Sequence, residues 1–299
     1  MDGEVRPRSI WLSSPTESPD LSANDLWVNI PAGLIALTAV LFALGLVLAL
    51  SFRENDGVLF APALTTGNYT DTITDPFFLM ICLRSAVIAG LSAAATVLLA
   101  YPAAYFIAFH AGERRGLWLT LVTLPFYTSY LLRVFAWKVI LGYNGILNSA
   151  MVTLHIPGAP FGSLLYNPGA VVVTLAHAYA AFAVLPIYVA LSAIEPKLAE
   201  AGLDLGAGPF TVFRRVIFPL SLPGVVAAFV LVFVPTLGDY ATPALVGGPS
   251  STMIGNIIQD QFGEADDWPT GAAMAIIVMV VLALVYGLGP IDIRDSQTA

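Results

Sequence analysis

Six stretches of this 299-residue chain are apolar enough to cross a bilayer. A helix rises about 1.5 Å per residue, so about 20 apolar residues are needed to span the hydrocarbon. Ile30–Phe52, Ser85–Phe109, Ala170–Ile194 and Thr270–Gly289 contain no charged side chain. Leu117–Leu141 is apolar except for Arg133 and Lys138, and Leu222–Val246 except for Asp239. Backbone groups in lipid must be satisfied within each segment, so the pattern predicts an all-α integral membrane protein with six transmembrane helices in residues 27–290. Pro102, Pro125, Pro186, Pro235 and Pro243 interrupt these spans, and each removes a backbone donor and favours a kink. Kinked membrane helices line cavities or move, although proline is also simply commoner in membrane helices than in soluble ones.

Composition agrees with lipid as the solvent: 58% of residues are hydrophobic and 11% charged, against about 25% charged in soluble domains. The formal net charge of -8 argues against a nucleic-acid partner, which requires a basic face. Cys82 is the lone cysteine and falls at the edge of an expected span, so no disulfide framework exists. Residues 1–26 are polar and rich in Ser, Pro and acid, and they read as a disordered cytoplasmic arm with no cleavable signal. Residues 291–299 read as a cytoplasmic tail. Arg6, Arg8, Arg114, Arg115, Lys197, Arg214, Arg215 and Arg294 all fall on one side of the expected spans, with Arg53 on the other. By the positive-inside rule both termini are then cytoplasmic. The opposite loops carry Glu54, Asp56, Asp71, Asp75, Asp260, Glu264, Asp266 and Asp267, a face that concentrates cations or one merely depleted in Lys and Arg.

Between the fourth and fifth spans lies EPKLAEAGLDLGAGPFTVFRRVIFP, residues 195–219. Leu198, Ala201 and Leu205 recur at helical spacing, and Gly206 to Pro209 then end the helix. An apolar side on a helix outside the membrane needs a protein surface, either this subunit's own helix ends or a partner. Asp204 and Glu200 flank Gly202 and Gly206, so that Gly pair does not read as a membrane dimerisation stripe. Glu200, Ala201, Gly202, then Gly206, then Val216, Phe218 and Pro219 resemble the cytoplasmic signature of ABC importer permeases, E-A-A, three residues, G, nine residues, I-x-L-P. Three positions depart from it: Gly202 for Ala, Val216 for Ile and Phe218 for Leu. Glycine at 202 weakens the short helix by up to about 1 kcal/mol relative to alanine. Two further stretches, LPFYTSYLLRVFAWKVILGYNGILN from Leu124 and PTLGDYATPALVGGPSSTMIGNIIQDQFGEADDWPTGAA from Pro235, resemble the spermidine/putrescine permease group.

The resemblance implies a type I ABC importer permease fold and a bacterial inner membrane. It further implies an ATPase dimer docked at the 195–219 loop, a second homologous permease and an external solute-binding protein. Coupling to the ATPase would run through Glu200, Ala201, Gly202, Asp204, Gly206 and Pro219. The chain has no G-x-x-x-x-G-K-[ST] loop, since Lys138 and Lys197 follow Trp137 and Pro196, so the ATPase must be a separate subunit. His110, His155 and His177 lack companions at ligand spacing, no nucleophile elbow occurs, and no cofactor, metal or bond chemistry is expected. Asn68-Tyr69-Thr70 is a formal glycosylation acceptor.

Asp239 stands out in the expected spans. It lies 18 residues beyond Ser221, roughly 27 Å along a helix, and so near the outer membrane end. Its carboxylate meets either a cationic solute, with Tyr240 or Trp137 as an aromatic face, or a structural partner in Arg133 or Lys138. Tyr127 and Arg133 join Asp239, Tyr240 and Trp137 as candidate pathway residues, and Arg133 must be neutralised or turned away if the solute is a cation. The rival readings are an ABC permease for another organic solute, an ion-driven secondary transporter and a membrane-embedded enzyme. The secondary transporter lacks paired repeats and further intramembrane carboxylates.

Overall fold

The computed structural model describes residues 23–55 and 64–288. Its helices in chain order are α1 (Ala23–Ser51), α2 (Gly67–Thr74), α3 (Pro76–Phe109), α4 (Arg115–Thr123), α5 (Tyr130–Leu141), α6 (Ile146–Thr153), α7 (Pro168–Ser192), α8 (Pro196–Asp204), α9 (Pro209–Val212), α10 (Phe218–Leu237), α11 (Ile254–Phe262) and α12 (Trp268–Leu288). No strand is present among the described residues beyond one isolated bridge, Arg53 to Leu64. Contacts divide the chain into a unit ending at Ala49, built of α1, and a larger unit from Leu50 onward. Within the first unit, residues 33–49 are apolar on all sides and almost wholly exposed, as a helix with lipid for its solvent is.

Length and apolarity qualify four helices as crossings: Gly33–Ser51, Pro76–Phe109, Pro168–Ser192 and the continuous run Pro209–Leu237. Leu117–Leu141 is not one straight helix. The chain runs Gly112–Tyr127, breaks, and resumes at Tyr130–Thr153 with an 86° bend. Pro125 precedes that break, and Thr128 and Ser129 adopt extended backbone that no helix continues through. The apolar part of α12, Trp268–Leu284, lies where the sixth span is expected but is shorter than the crossings, so four helices, or five with the bent pair as one span, qualify among the described residues against the six expected. Leu222–Val246 likewise ends early: α10 stops at Leu237, and Pro243–Gly247 forms a separate π turn. In the other direction, α3 begins at Pro76, capped by the Asp75 side chain on the Phe77 amide, nine residues before the expected start at Ser85. That extension brings Arg84 into the helix, and with it the basic bias is eight to two. The expected arm lies outside the described residues except for 23–26, the start of α1, and the tail at 291–299 lies wholly outside them.

The core of the larger unit is where α3, α7 and α10 meet. Ala93, Ala100 and Ala104 of α3 and Ala183 of α7 are fully or almost fully buried, and such small residues let helix backbones approach where lipid supplies no hydrophobic drive. Gly224 of α10 marks the closest approach: a Cβ there would stand 2.4 Å from the Ala190 Cβ and 2.7 Å from the Pro186 carbonyl oxygen. Buried hydroxyls are satisfied locally. Ser85, Ser92 and Thr96 donate to the carbonyls of Ile81, Ile88 and Ser92, four residues back. Ser85 Oγ also accepts from the Ile254 amide at 2.7 Å, which fixes the start of α11 on α3. At the opposite end of α3, Tyr101 Oη and Ser221 Oγ are 2.9 Å apart and tie α3 to α10.

Candidate functional site

Two places carry the chemistry that the sequence singles out. At the first, the fifth span gives way after α10: Leu237 is the last helical residue, Gly238 follows, and Asp239 comes next. Asp239 is 8% exposed and is the one residue with a formally charged side chain in the buried class among the described residues. Its Oδ1 accepts from the Ala241 amide at 3.1 Å, a local turn that re-supplies a partner to backbone freed by the break. Its Oδ2 accepts from Tyr130 Oη at 2.6 Å, and Tyr130 Oη is also 2.6 Å from Thr242 Oγ1. Tyr130 is the first residue of α5, immediately after the 86° break. One carboxylate therefore joins the two interrupted spans, and the close approach of Gly255 fits α11 beneath it, since a Cβ there would lie 2.5 Å from the Gly238 oxygen.

Arg133 is turned away from that carboxylate. Its Nη1 donates to the Ala178 carbonyl at 2.9 Å, and its guanidinium lies 4.7 Å from the Phe126 ring centre and 6.0 Å from that of Tyr130. Phe126 precedes the break and Tyr130 follows it, so the arginine clamps both halves of the bend against α7. Its Nε is buried without a partner. Neither Arg133 nor Lys138 forms an ion pair with Asp239. Trp137, one turn on from Arg133, packs edge-on against His177 at 5.6 Å, so the two residues four apart do share the face toward α7. Tyr240 and Tyr127 point outward and are exposed; the Tyr240 carbonyl accepts from the Asn256 side-chain amide at 2.8 Å and from the Ala244 backbone amide at 3.2 Å. Of the five candidate pathway residues, Asp239 and Arg133 thus surround Tyr130, whereas Tyr240 and Tyr127 stand apart. Sequence reasoning missed Tyr130 and Thr242. Their signal was present, a hydroxyl at each of two expected helix interruptions.

The second place is the 195–219 loop. α8 ends in a complete Schellman closure: the Gly206 amide donates to the Leu203 carbonyl at 2.9 Å and the Ala207 amide to that of Gly202 at 3.2 Å. Gly206 has φ +82, the left-handed region that glycine adopts without strain. Gly202 has a packing reason to depart from alanine, since a Cβ there would stand 3.0 Å from Val212 Cγ2. Ala199 and Ala207 pack on this subunit's own core, while Leu198, Ala201 and Leu205 face out. Leu205 is 88% exposed and Phe210, at the start of α9, 73%. Glu200 and Asp204 are exposed and have no side-chain partner among the described residues. Pro219 follows the π turn Phe213–Ile217 that carries the loop into α10.

Elsewhere, Asn68 donates its side-chain amide to the Ser51 and Arg53 carbonyls, a structural use of the formal acceptor. The buried Asn148 exchanges hydrogen bonds with the Phe161 backbone and holds the segment that follows the bent span.

Residues 97–290 match the family described as the binding-protein-dependent transport system inner membrane component. The spermidine/putrescine transport system permease protein PotB of Haemophilus influenzae is 37% identical over 240 residues, 80% of this chain and 83% of that protein. The protein of the same name from Escherichia coli is 35% identical over 245 residues, 81% and 88% of the two chains. Among solved structures, a bacterial ABC transporter involved in the import of the acidic polysaccharide alginate superposes with a TM-score of 0.64 at 17% identity, over 89% of this chain and 94% of that one. The alginate transporter in complex with its pentasaccharide-bound periplasmic protein gives 0.65 at 16% identity, over 89% and 93%.

Proposed function

The chain belongs to the binding-protein-dependent inner membrane components, as a multi-pass permease subunit of an ABC importer with the type I fold and a separate ATPase, and from that membership we propose that its solute is a polyamine. Relatives that bear the spermidine/putrescine name match about four fifths of the chain at 33% to 37% identity. Asp239 is the observation within the molecule that carries the reading: a buried carboxylate at a break in a membrane span, with no cation paired to it among the described residues. An ammonium group is the natural complement of such an acid, and Arg133, committed to Ala178 and Phe126, is placed where it does not neutralise it.

Uptake into vesicles holding the permease pair, the ATPase and the solute-binding protein tests this reading. Labelled spermidine or putrescine should accumulate only with all components and ATP. Accumulation of a neutral or anionic solute in place of polyamine overturns it.

Energy enters, on this reading, through α8 and Gly206, whose outward apolar residues are left exposed by the described residues. An ATPase dimer grips this loop, a second homologous permease completes the pathway, and a periplasmic solute-binding protein delivers at the other face. Both termini and the 195–219 loop lie in the cytoplasm by the basic bias. A cysteine placed at the exposed Gly162 should react with an impermeant reagent from outside. Reaction from the cytoplasmic side alone reverses the topology.

A further inference from the structure

We propose that the open groove along the first half of α3 is a binding site for an anionic glycerophospholipid whose phosphate rests on Arg84. The groove has a volume of about 1120 Å³ and is lined by apolar side chains of α3 and α7, Leu83, Val87, Leu91 and Val172 among them. Arg84 and Ser250 are its polar members. Arg84 is half-buried and has no hydrogen-bond, ion-pair or ring partner among the described residues. An arginine left unpaired in an apolar setting at the membrane is costly, so the site is incomplete as the subunit stands alone.

Depth identifies the missing group. α3 has 34 residues, about 50 Å of helix, whereas the hydrocarbon is about 30 Å thick. Centred in the bilayer, the helix overshoots by about 10 Å at each end. Arg84 is eight residues beyond Pro76, about 12 Å along, and so at the edge of the hydrocarbon where phosphates lie. The first residues of α7, Pro168 and Gly169, and Ser250 of the turn after the π turn line the groove as well. Below that level the α3 lining continues to Leu98 with apolar side chains alone. The occupant must therefore offer one anionic oxygen cluster at the interface and an apolar body beneath it, the form of a phospholipid. Guanidinium binds phosphate through paired N–H donors, which an ammonium does not reproduce.

The test uses the assembled transporter, purified and exposed to limiting phosphatidylglycerol or phosphatidylcholine, with bound lipid counted by native mass spectrometry. Wild type should retain phosphatidylglycerol preferentially. Arg84→Gln should retain it about tenfold to hundredfold more weakly, the loss of a charged hydrogen-bonding partner. Leu91→Trp, which fills the groove and leaves Arg84 in place, should lose the lipid too; Leu91 is exposed, so the fold tolerates the change. Equal retention by wild type and both variants overturns the proposal. So does near-complete crosslinking of a cysteine placed at Leu91 to another polypeptide of the complex, which would put protein in the groove.

Discussion

The polar break at Asp239 and the loop at Gly206 are opposite kinds of site. At the break, the charged groups are answered from within, the Asp239 carboxylate by Tyr130 and Ala241 and Arg133 Nη1 by Ala178, with Arg133 Nε alone left over. At the loop only the backbone is answered, through the closure on Gly206, while Leu198, Leu205 and Phe210 stand in the open. Burying an unanswered carboxylate in the membrane costs several kcal/mol, so a pathway acid needs an internal partner that a solute can displace. A docking surface has the reverse requirement. Its apolar side chains must stay uncovered until the partner arrives, and its backbone must already be rigid so that little ordering entropy is lost on binding.

Removing the outward leucine should have the largest effect. Leu205→Asp places a charge where the partner surface is expected to close, and ATPase association should weaken by about thirtyfold or more, the scale of an interface hot spot. Pull-down of the ATPase by the membrane-inserted permease measures it, and unchanged association would make the loop an ordinary connector. Asp239→Asn should lower polyamine uptake by about tenfold, as loss of a charged contact does, with complex yield unchanged. Loss of the assembled complex would instead make Asp239 structural. Tyr130→Phe keeps the charge and removes its internal donor, so uptake should persist and change only a few-fold, while hydrolysis without solute rises because the two broken spans are no longer tied. Glu200→Gln is the smallest: with no partner among the described residues, thermal stability of the isolated permease should shift by less than about 0.5 kcal/mol.

Much of this was legible from residue order. Apolar runs located the spans, and the spacing from Glu200 to Pro219 located the loop, because helix length and glycine-ended turns are local properties. The 86° break was harder to foresee: Pro125 announces a kink, but its size depends on Arg133 bridging Phe126, Tyr130 and Ala178, residues from separate elements. The Asp239 to Tyr130 contact spans 109 positions and joins two helix ends, beyond the reach of periodicity. Gly202 shows the same boundary. Propensity makes it a defect in α8, whereas the nearby Val212 side chain makes it a fit.

The central claim is that the loop closed by Gly206 transmits ATP energy to the spans, and paired substitutions at that residue test it most directly. Gly206→Val forces a β-branched residue into φ +82, at a cost of about 1–2 kcal/mol or more, although open space surrounds the position. Gly206→Asn occupies the same space, and asparagine tolerates the left-handed region. Solute transported per ATP hydrolysed, measured in one reconstituted preparation of each, should collapse in the valine variant and recover in the asparagine variant. Wild-type coupling in the valine variant would contradict the account.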